Sequence, residues 1–369
     1  MTSWQELLKK SITTAKELTA HLECNCDEIA RVAKKYPLRI NPYYLALIQK
    51  AGLPLYLQAV PDQRELTDPV GMYDPLAEES LSPVPGLVHK YPDRALLLVN
   101  HECAMYCRFC TRKRKLGHRD MRFSRQRLGQ AFAYLRSTPG IREVLVSGGD
   151  PLLLSDEQLE WLLSGLRGIP TIEIIRIGSR VPCTLPMRIT KKLCAVLKQF
   201  HPLYINTHFN HPAEITKEAA RACVMLADAG IPLGCQTVLL RGINDDAAIL
   251  AELFRKLLTI RVKPYYLFQT DLTLGTDHFR TRIEDGLAIM RQLIGHVSGM
   301  AVPTFSLDAP GGGGKIPLTP EYVNRYGDIL EFINYQGKPC CYPNACRPNS
   351  LARQSENSSK KKHCRKMPP

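Results

Sequence analysis

From about residue 94 onward, short apolar runs alternate with longer amphipathic segments. The runs are RALLLVN (94–100), EVLVSGG (143–149), EIIRIGS (173–179), LYINTHF (203–209), PLGCQTVLL (232–240) and PYYLFQT (264–270). Each has the length of a strand. Between them, SDEQLEWLLSGLRG, TKKLCAVLKQF, KEAARACVMLADAG and DAAILAELFRKLLT place apolar residues at helical spacing. Several of these open on Ser, Thr or Asp and close near a Gly, as capped helices do. Six strands alternating with helices predict a parallel sheet with helical crossovers. The fold class is therefore α/β: a partial (β/α)6 TIM-like barrel with an N-terminal helical extension. A doubly wound open sheet is the competing architecture. Polar residues follow most of the strands rather than one switch point, which favours the barrel and a site beyond its carboxyl strand ends.

The first fifty residues predict helices, in WQELLKKSITTAKELTAHL and CDEIARVAKKY, and a proline-rich stretch from Pro54 to Pro92 reads as irregular chain laid over a larger body. This divides the chain into an extension (1–90), a barrel core (91–300), a segment bearing a glycine run and a lysine (301–338) and a basic, cysteine-containing tail (339–369).

Composition narrows the class. Of 369 residues, 44% are hydrophobic and 23% charged, as in soluble globular proteins. No stretch approaches the ~20 apolar residues of a membrane span, and MTSWQELLKK lacks an apolar signal core, so a cytoplasmic protein without membrane contact is expected. Thirteen scattered cysteines argue against a secreted disulfide framework and for reduced thiols. Cys183, Cys194, Cys223 and Cys235 lie within apolar patterns and read as core. The net charge of +14 is concentrated partly in TRKRKLGHR and SSKKKHCRKMPP. A solvated appendage is preferred there over a nucleic-acid contact.

Three segments carry chemistry. In HECAMYCRFC (101–110), Cys103, Cys107 and Cys110 have the spacing C-x3-C-x2-C with no fourth cysteine nearby. Structural zinc takes four protein ligands, and an iron–sulfur cluster normally takes four cysteines. Three would leave one iron of a [4Fe–4S] cube open to a small molecule. SGGD (147–150) ends the second strand with glycines that let backbone groups approach a ligand. In DAPGGGGKIPLTP (308–320), a phosphate-binding loop fails, because Ala309 stands at its first position and Ile316 replaces its Ser/Thr. Lys315, after four glycines, suits a Schiff base with a carbonyl cofactor.

The cysteine spacing, in a loop after the first barrel strand, resembles the radical S-adenosylmethionine enzymes. More specifically, YPDRALLLVN, CAMYCRFCTRKR, VSGGDPLL, RIGSRVP, NTHFNHPAEIT, PLGCQTVLLRGIND, PYYLFQTDLTLGTDHFRT and DAPGGGGKIP resemble the lysine 2,3-aminomutase family from about Tyr91 to Pro320. The resemblance implies a [4Fe–4S] cluster on Cys103, Cys107 and Cys110. It implies S-adenosyl-L-methionine held by Ser147, Gly148, Gly149, Asp150, His208 and Gln236. It places pyridoxal 5'-phosphate on Lys315, the catalytic lysine, with Arg94 in the cofactor pocket.

Arg112 would clamp the substrate α-carboxylate, for which a planar fork is suited. Asp271 and Asp308 would hold the distal ammonium. Two carboxylates in one pocket are costly without a cation. Keeping both favours L-lysine, interconverted with L-β-lysine by a 5'-deoxyadenosyl-radical 1,2-amino shift. Arginine, or a lysine destined for a translation factor, are the alternatives. The resemblance also implies a homo-oligomer and an electron donor such as flavodoxin or ferredoxin. The reading from a different class is a zinc-dependent nucleic-acid-binding protein.

The chain departs from the family at four places. Phe268 replaces the usual tyrosine, and Lys90 replaces an arginine near the phosphate. Asp246 stands where an internal cysteine helps bind a structural zinc, and Cys340, Cys341 and Cys346 fall out of register with the zinc cysteines of the tail. Loosely spaced surface cysteines are preferred there over a zinc site of different make-up.

Overall fold

The computed structural model describes residues 3–117 and 122–344. Cys346 and the basic run KKKHCRK lie outside them, as do His118 and Arg119 of TRKRKLGHR. The N-terminal extension is helical: α1 (Trp4–Lys9), α2 (Ala15–Thr19), α3 (Cys26–Lys35), α4 (Pro42–Ala51) and α5 (Leu53–Ala59). The first apolar pattern is two helices rather than one. Ser3 with Glu6, and Thr14 with Glu17, form separate capping boxes, and between them Ile12 bridges to Ile40. Within the proline-rich stretch, α5 carries a proline in its first turn, where a missing N–H costs nothing.

A nine-stranded sheet follows in sequential order. Its strands are β1 (Leu87–Tyr91), β2 (Arg94–Asn100), β3 (Glu143–Gly148), β4 (Ile174–Gly178), β5 (Leu203–Thr207), β6 (Leu233–Leu239), β7 (Val262–Gln269), β8 (Thr304–Ala309) and β9 (Gly314–Pro317). Strands β2 to β8 run parallel, while β1 and β9 pair antiparallel at the two edges. The six expected strands are β2 to β7. A seventh parallel strand, β8, extends the barrel, and the segment bearing Lys315 is itself the edge strand β9.

The crossovers are α6 (Arg125–Ser137), α7 (Asp156–Arg167), α8 (Val181–Thr184), α9 (Lys191–Leu197), α10 (Lys217–Asp228), α11 (Ala247–Thr259) and α12 (Ile283–Leu293). Helix α7 shows how sequence sets these elements. Ser155 and Gln158 close a capping box at its start, and Leu159, Leu162, Leu163 and Leu166 line one buried face. That face joins Leu97, Val144, Val146, Ile175 and Ile177 from the outer face of the sheet in one core. Each fully buried leucine contributes ~1.5–3 kcal/mol. Because strand side chains alternate, the residues between these apolar ones, Ser147 and Gln236 among them, lie on the opposite, concave face. A small separate sheet, β10 (Val323–Arg325), β11 (Ile329–Ile333) and β12 (Pro339–Pro343), ends the described chain.

Candidate active site

The loop after β2 carries Cys103, Cys107 and Cys110, all half-buried and without disulfides. Burial, then the charges of Asp150 and the other two thiols, pushes the Cys103 thiol well up; burial and Cys107 push Cys110 up to about 11. The loop is braced by the turn after β3. Gly149 N–H donates to Asn100 O at 2.8 Å, and Asp150 N–H to Glu102 O at 2.7 Å. A Cβ on Gly149 would lie 2.3 Å from Glu102 O, and one on Gly148, whose φ is +127°, 2.5 Å from Asn100 O. Gly148 is therefore required by the close end of β2, and Gly149 by the cysteine loop itself. The Asp150 carboxylate accepts from Ser179 Oγ at 2.6 Å, Arg180 N at 2.7 Å, Val181 N at 3.0 Å and Leu152 N at 3.1 Å, so its side chain organises two turns at the barrel's upper rim.

Below the cysteines the basic run is neutralised. Glu65, fully buried, pairs with Arg108 and Lys113, each at 2.6 Å. Arg114 pairs with Asp74 at 2.7 Å and Glu79 at 3.2 Å, and Lys115 lies 3.8 Å from Glu78. A stretch so paired is not a cationic stripe, which removes the main support for nucleic-acid binding among the described residues.

Arg112 lies at the mouth of the concave face. Its Nε donates to Glu78 Oε1 at 2.8 Å and its Nη1 to Ser147 Oγ at 3.3 Å. Burial opposes ionisation of Glu78, but Arg112 and its basic neighbours hold that carboxyl below its usual value. Opposite, Thr111 Oγ1 donates to Asp271 Oδ2 at 2.8 Å. Burial and the charge of Asp308 raise the Asp271 carboxyl to about 6. Asp308 on β8 faces Lys315 on β9 across an antiparallel pair, and Lys315 Nζ lies 2.5 Å from Asp308 Oδ2 and 4.5 Å from the centroid of the Phe268 ring.

Tyr91 links this corner to the start of β2. Its Oη accepts from Lys315 N at 3.0 Å, and its ring lies 4.0 Å from the Arg94 guanidinium and 5.6 Å from Lys90 Nζ. His208, at the end of β5, shares a 2.9 Å hydrogen bond with Asn210 Oδ1 through Nε2; burial and Arg180 push it down to about 3, so it is neutral. Gln236 sits half-buried on the concave face of β6.

Two groups of residues fit absent cofactors. Cys107 and Cys110 lie near enough to Cys103 to raise its thiol, Cys107 sits beside Arg180, and the buried Nε of that arginine finds no acceptor among the described residues, a setting that suits a sulfide-bearing cluster. Lys315, tied to Tyr91 through its backbone N–H, with Arg94 and Lys90 against the same tyrosine ring, supplies an amine and two cations in one corner, a set that fits an aldehyde carrying a phosphate. The carboxylate of Asp246, the residue that the resemblance aligns with a zinc-binding cysteine, caps α11, accepting from Ala248 N and Ile249 N. Cys340 and Cys341 are consecutive on β12 and point to opposite faces.

Glu78, Thr111, Tyr91, Arg180 and Glu214 were not singled out by the sequence. Thr111 and Arg180 lie inside quoted motifs, whereas Glu78 is one acid in a loop without periodicity.

A sheet of this topology with three cysteines after its first parallel strand defines a class: residues 97–254 match the model of the Radical SAM superfamily. Residues 290–365 match the model described as Lysine-2,3-aminomutase. The chain is 49% identical to the L-lysine 2,3-aminomutase of Clostridium subterminale, over 90% of this chain and 82% of that one. It is 48% identical to the L-lysine 2,3-aminomutase of Fusobacterium nucleatum, over 91% and 84%. It is also 45% identical to the glutamate 2,3-aminomutase of Clostridioides difficile, over 90% and 78%. The chain belongs to the lysine 2,3-aminomutase family, and is an isomerase of the radical S-adenosylmethionine type.

Proposed function

We propose that this enzyme interconverts L-lysine and L-β-lysine. The observation that carries this reading is the acidic pair, Asp271 and Asp308, with an ammonium already seated on it: that of Lys315, 2.5 Å from Asp308. A pocket of two carboxylates attracts a cationic side chain and repels a carboxylate, so it disfavours glutamate, the substrate named for one close relative.

In this reading Cys103, Cys107 and Cys110 hold the [4Fe–4S] cluster, and the segment Ser147–Gly148–Gly149–Asp150, with His208 and Gln236, holds S-adenosyl-L-methionine. Lys315 holds pyridoxal phosphate, with Arg94 and Lys90 toward its phosphate. When bound, these groups supply a 5'-deoxyadenosyl radical and a π-system across which the amino group migrates. The chain's own residues position the substrate. Arg112, fixed through Nε by Glu78, presents its remaining N–H groups to the α-carboxylate. Asp271 and Asp308 fix the far end, so C2 and C3 are held between two charged anchors and their geometry is set before reaction. Neutral His208 offers the nucleotide a hydrogen-bonding ring without adding charge.

The cysteines of the extension and the barrel are free thiols, which suits a reducing, cytoplasmic setting and a low-potential electron donor of the flavodoxin or ferredoxin class. A substrate panel tests the assignment: reconstituted enzyme with S-adenosylmethionine, pyridoxal phosphate and reductant is given L-lysine, L-arginine or L-glutamate. β-Lysine from lysine alone is expected. A β-amino acid from arginine in preference to lysine would overturn it.

A further inference from the structure

We infer that Arg180 sets the reduction potential of the iron–sulfur cluster by donating a charged hydrogen bond to the sulfur of Cys107. This rests on the cluster assignment above and goes beyond it. Arg180 follows β4 and is 9% exposed. Its Nη1 lies 2.7 Å from Cys107 Sγ, and its Nη2 donates to Gln58 Oε1 at 2.5 Å and Glu214 Oε1 at 2.8 Å. Its backbone N–H is held by Asp150 at 2.7 Å, and the Phe109 ring lies 5.2 Å from the guanidinium.

Glu214, fully buried, is fixed in turn by Tyr44 Oη at 2.7 Å, Asn210 N at 2.7 Å and His211 N at 3.0 Å. The guanidinium is thus locked from α5, the β3 turn and the β5 loop. It cannot swing away when the sulfur changes charge.

Structural ion pairs alone do not explain the arrangement. Gln58 and Glu214 satisfy only one of the terminal nitrogens; the other is directed at a cluster cysteine, and Nε is left without an acceptor among the described residues. At the other two cysteines the nearest basic groups work differently. Arg39 donates to the carbonyl of Cys103 at 3.3 Å, and Cys110 takes a backbone hydrogen bond from Arg112.

Reduction adds one electron to the cluster, from a low-potential one-electron donor, and moves no proton. A fixed cation on a ligand sulfur, in surroundings of low dielectric, stabilises the added negative charge and raises the potential. Arg180 is therefore a positioning residue: it touches the cysteine, not the substrate.

The test is an EPR-monitored redox titration of the reconstituted holoenzyme, with iron content measured on the same samples. Arg180→Gln is expected to retain iron but to lower the midpoint by about 59 mV, a tenfold smaller ratio of reduced to oxidised cluster at fixed solution potential. Arg180→Lys should fall between it and the wild type. Glu214→Gln, which removes the counter-charge, should shift the midpoint upward. An unchanged midpoint in iron-replete Arg180→Gln overturns the proposal. So does iron loss with an unchanged midpoint in the clusters that remain. Should Arg180→Gln not fold, an unchanged midpoint in Glu214→Gln overturns it. A wild type that takes up no iron would instead sink the cluster assignment beneath it.

Discussion

Lys315 and Asp308 are cross-strand neighbours, β9 to β8, and their charged groups meet at 2.5 Å. One short antiparallel pair therefore joins the residue proposed to hold pyridoxal phosphate to a residue proposed to select the substrate. With Asp271 raised by Asp308 and lowered by Lys315, the three side chains form a single electrostatic unit.

The first consequence is a pH dependence. Asp271 titrates near 6 because burial and Asp308 disfavour its ionised form. A substrate ammonium binds the ionised form, so affinity is present above about pH 6 and lost below it. KM for L-lysine should rise as pH falls through 6, approaching tenfold per unit. Asp271→Asn should flatten that profile. Anaerobic KM measurements from pH 5 to 8 on both proteins check this. The sign for stability is opposite. A carboxyl raised above its unfolded value of 3.8 makes the substrate-free fold lose stability as pH climbs from about 4 to 6.

Asp308→Asn leaves Asp271 without its repelling partner and Lys315 without its carboxylate. Kd for L-lysine should increase ~30-fold or more, the equivalent of about 2 kcal/mol for truncating one member of a close charge pair. Titration of substrate binding to the reconstituted enzyme measures it.

Glu78→Gln tests the clamp. Arg112 keeps its place beside Ser147 but loses the ion pair at Nε. A charged hydrogen bond is worth about 1.5–3 kcal/mol, so KM should rise roughly tenfold or more. Iron content should be unchanged, because Glu78 does not touch the cysteines. A parallel loss of iron would show that Glu78 supports the loop and not the arginine.

Glu65→Gln concerns stability alone. It strands Arg108 and Lys113, both nearly inaccessible, beside a neutral amide. Removing one partner of a buried ion pair costs about 3–5 kcal/mol. Anaerobic urea denaturation should show that loss, with the cysteine loop's attachment to the helical extension weakened first.

Much of this was legible in the chain. The strands β2 to β7 follow from short apolar runs between capped amphipathic helices, and the cysteine spacing marks itself. Strands β8 and β9 were not legible as strands. β8 lies in TFSLDA, where only Phe305 and Ser306 are well buried, and β9 begins at the last of four glycines and turns mostly exposed side chains outward. Their pairing depends on the sheet edge that β7 provides, not on local pattern. The supporting charges were hidden for a related reason. Glu78 pairs with a residue 34 positions away, Glu65 with one 43 away, and Arg180 with a cysteine 73 away. No helical or strand period connects such partners. Gly148 and Gly149 illustrate the reverse case: their need for small size was evident, but what they approach is the chain's own backbone, at the end of β2 and in the cysteine loop.

The central claim, an amino shift on lysine at this site, is tested most directly by following the nitrogen. Anaerobically reconstituted enzyme is given L-lysine labelled with 15N at the α-amino group, and the products are derivatised and fragmented by mass spectrometry, with Lys315→Ala and Cys107→Ala in parallel. The account predicts β-lysine carrying the label on C3 from the wild type, and none from either variant. Cleavage of S-adenosylmethionine to 5'-deoxyadenosine with no labelled β-lysine would contradict it.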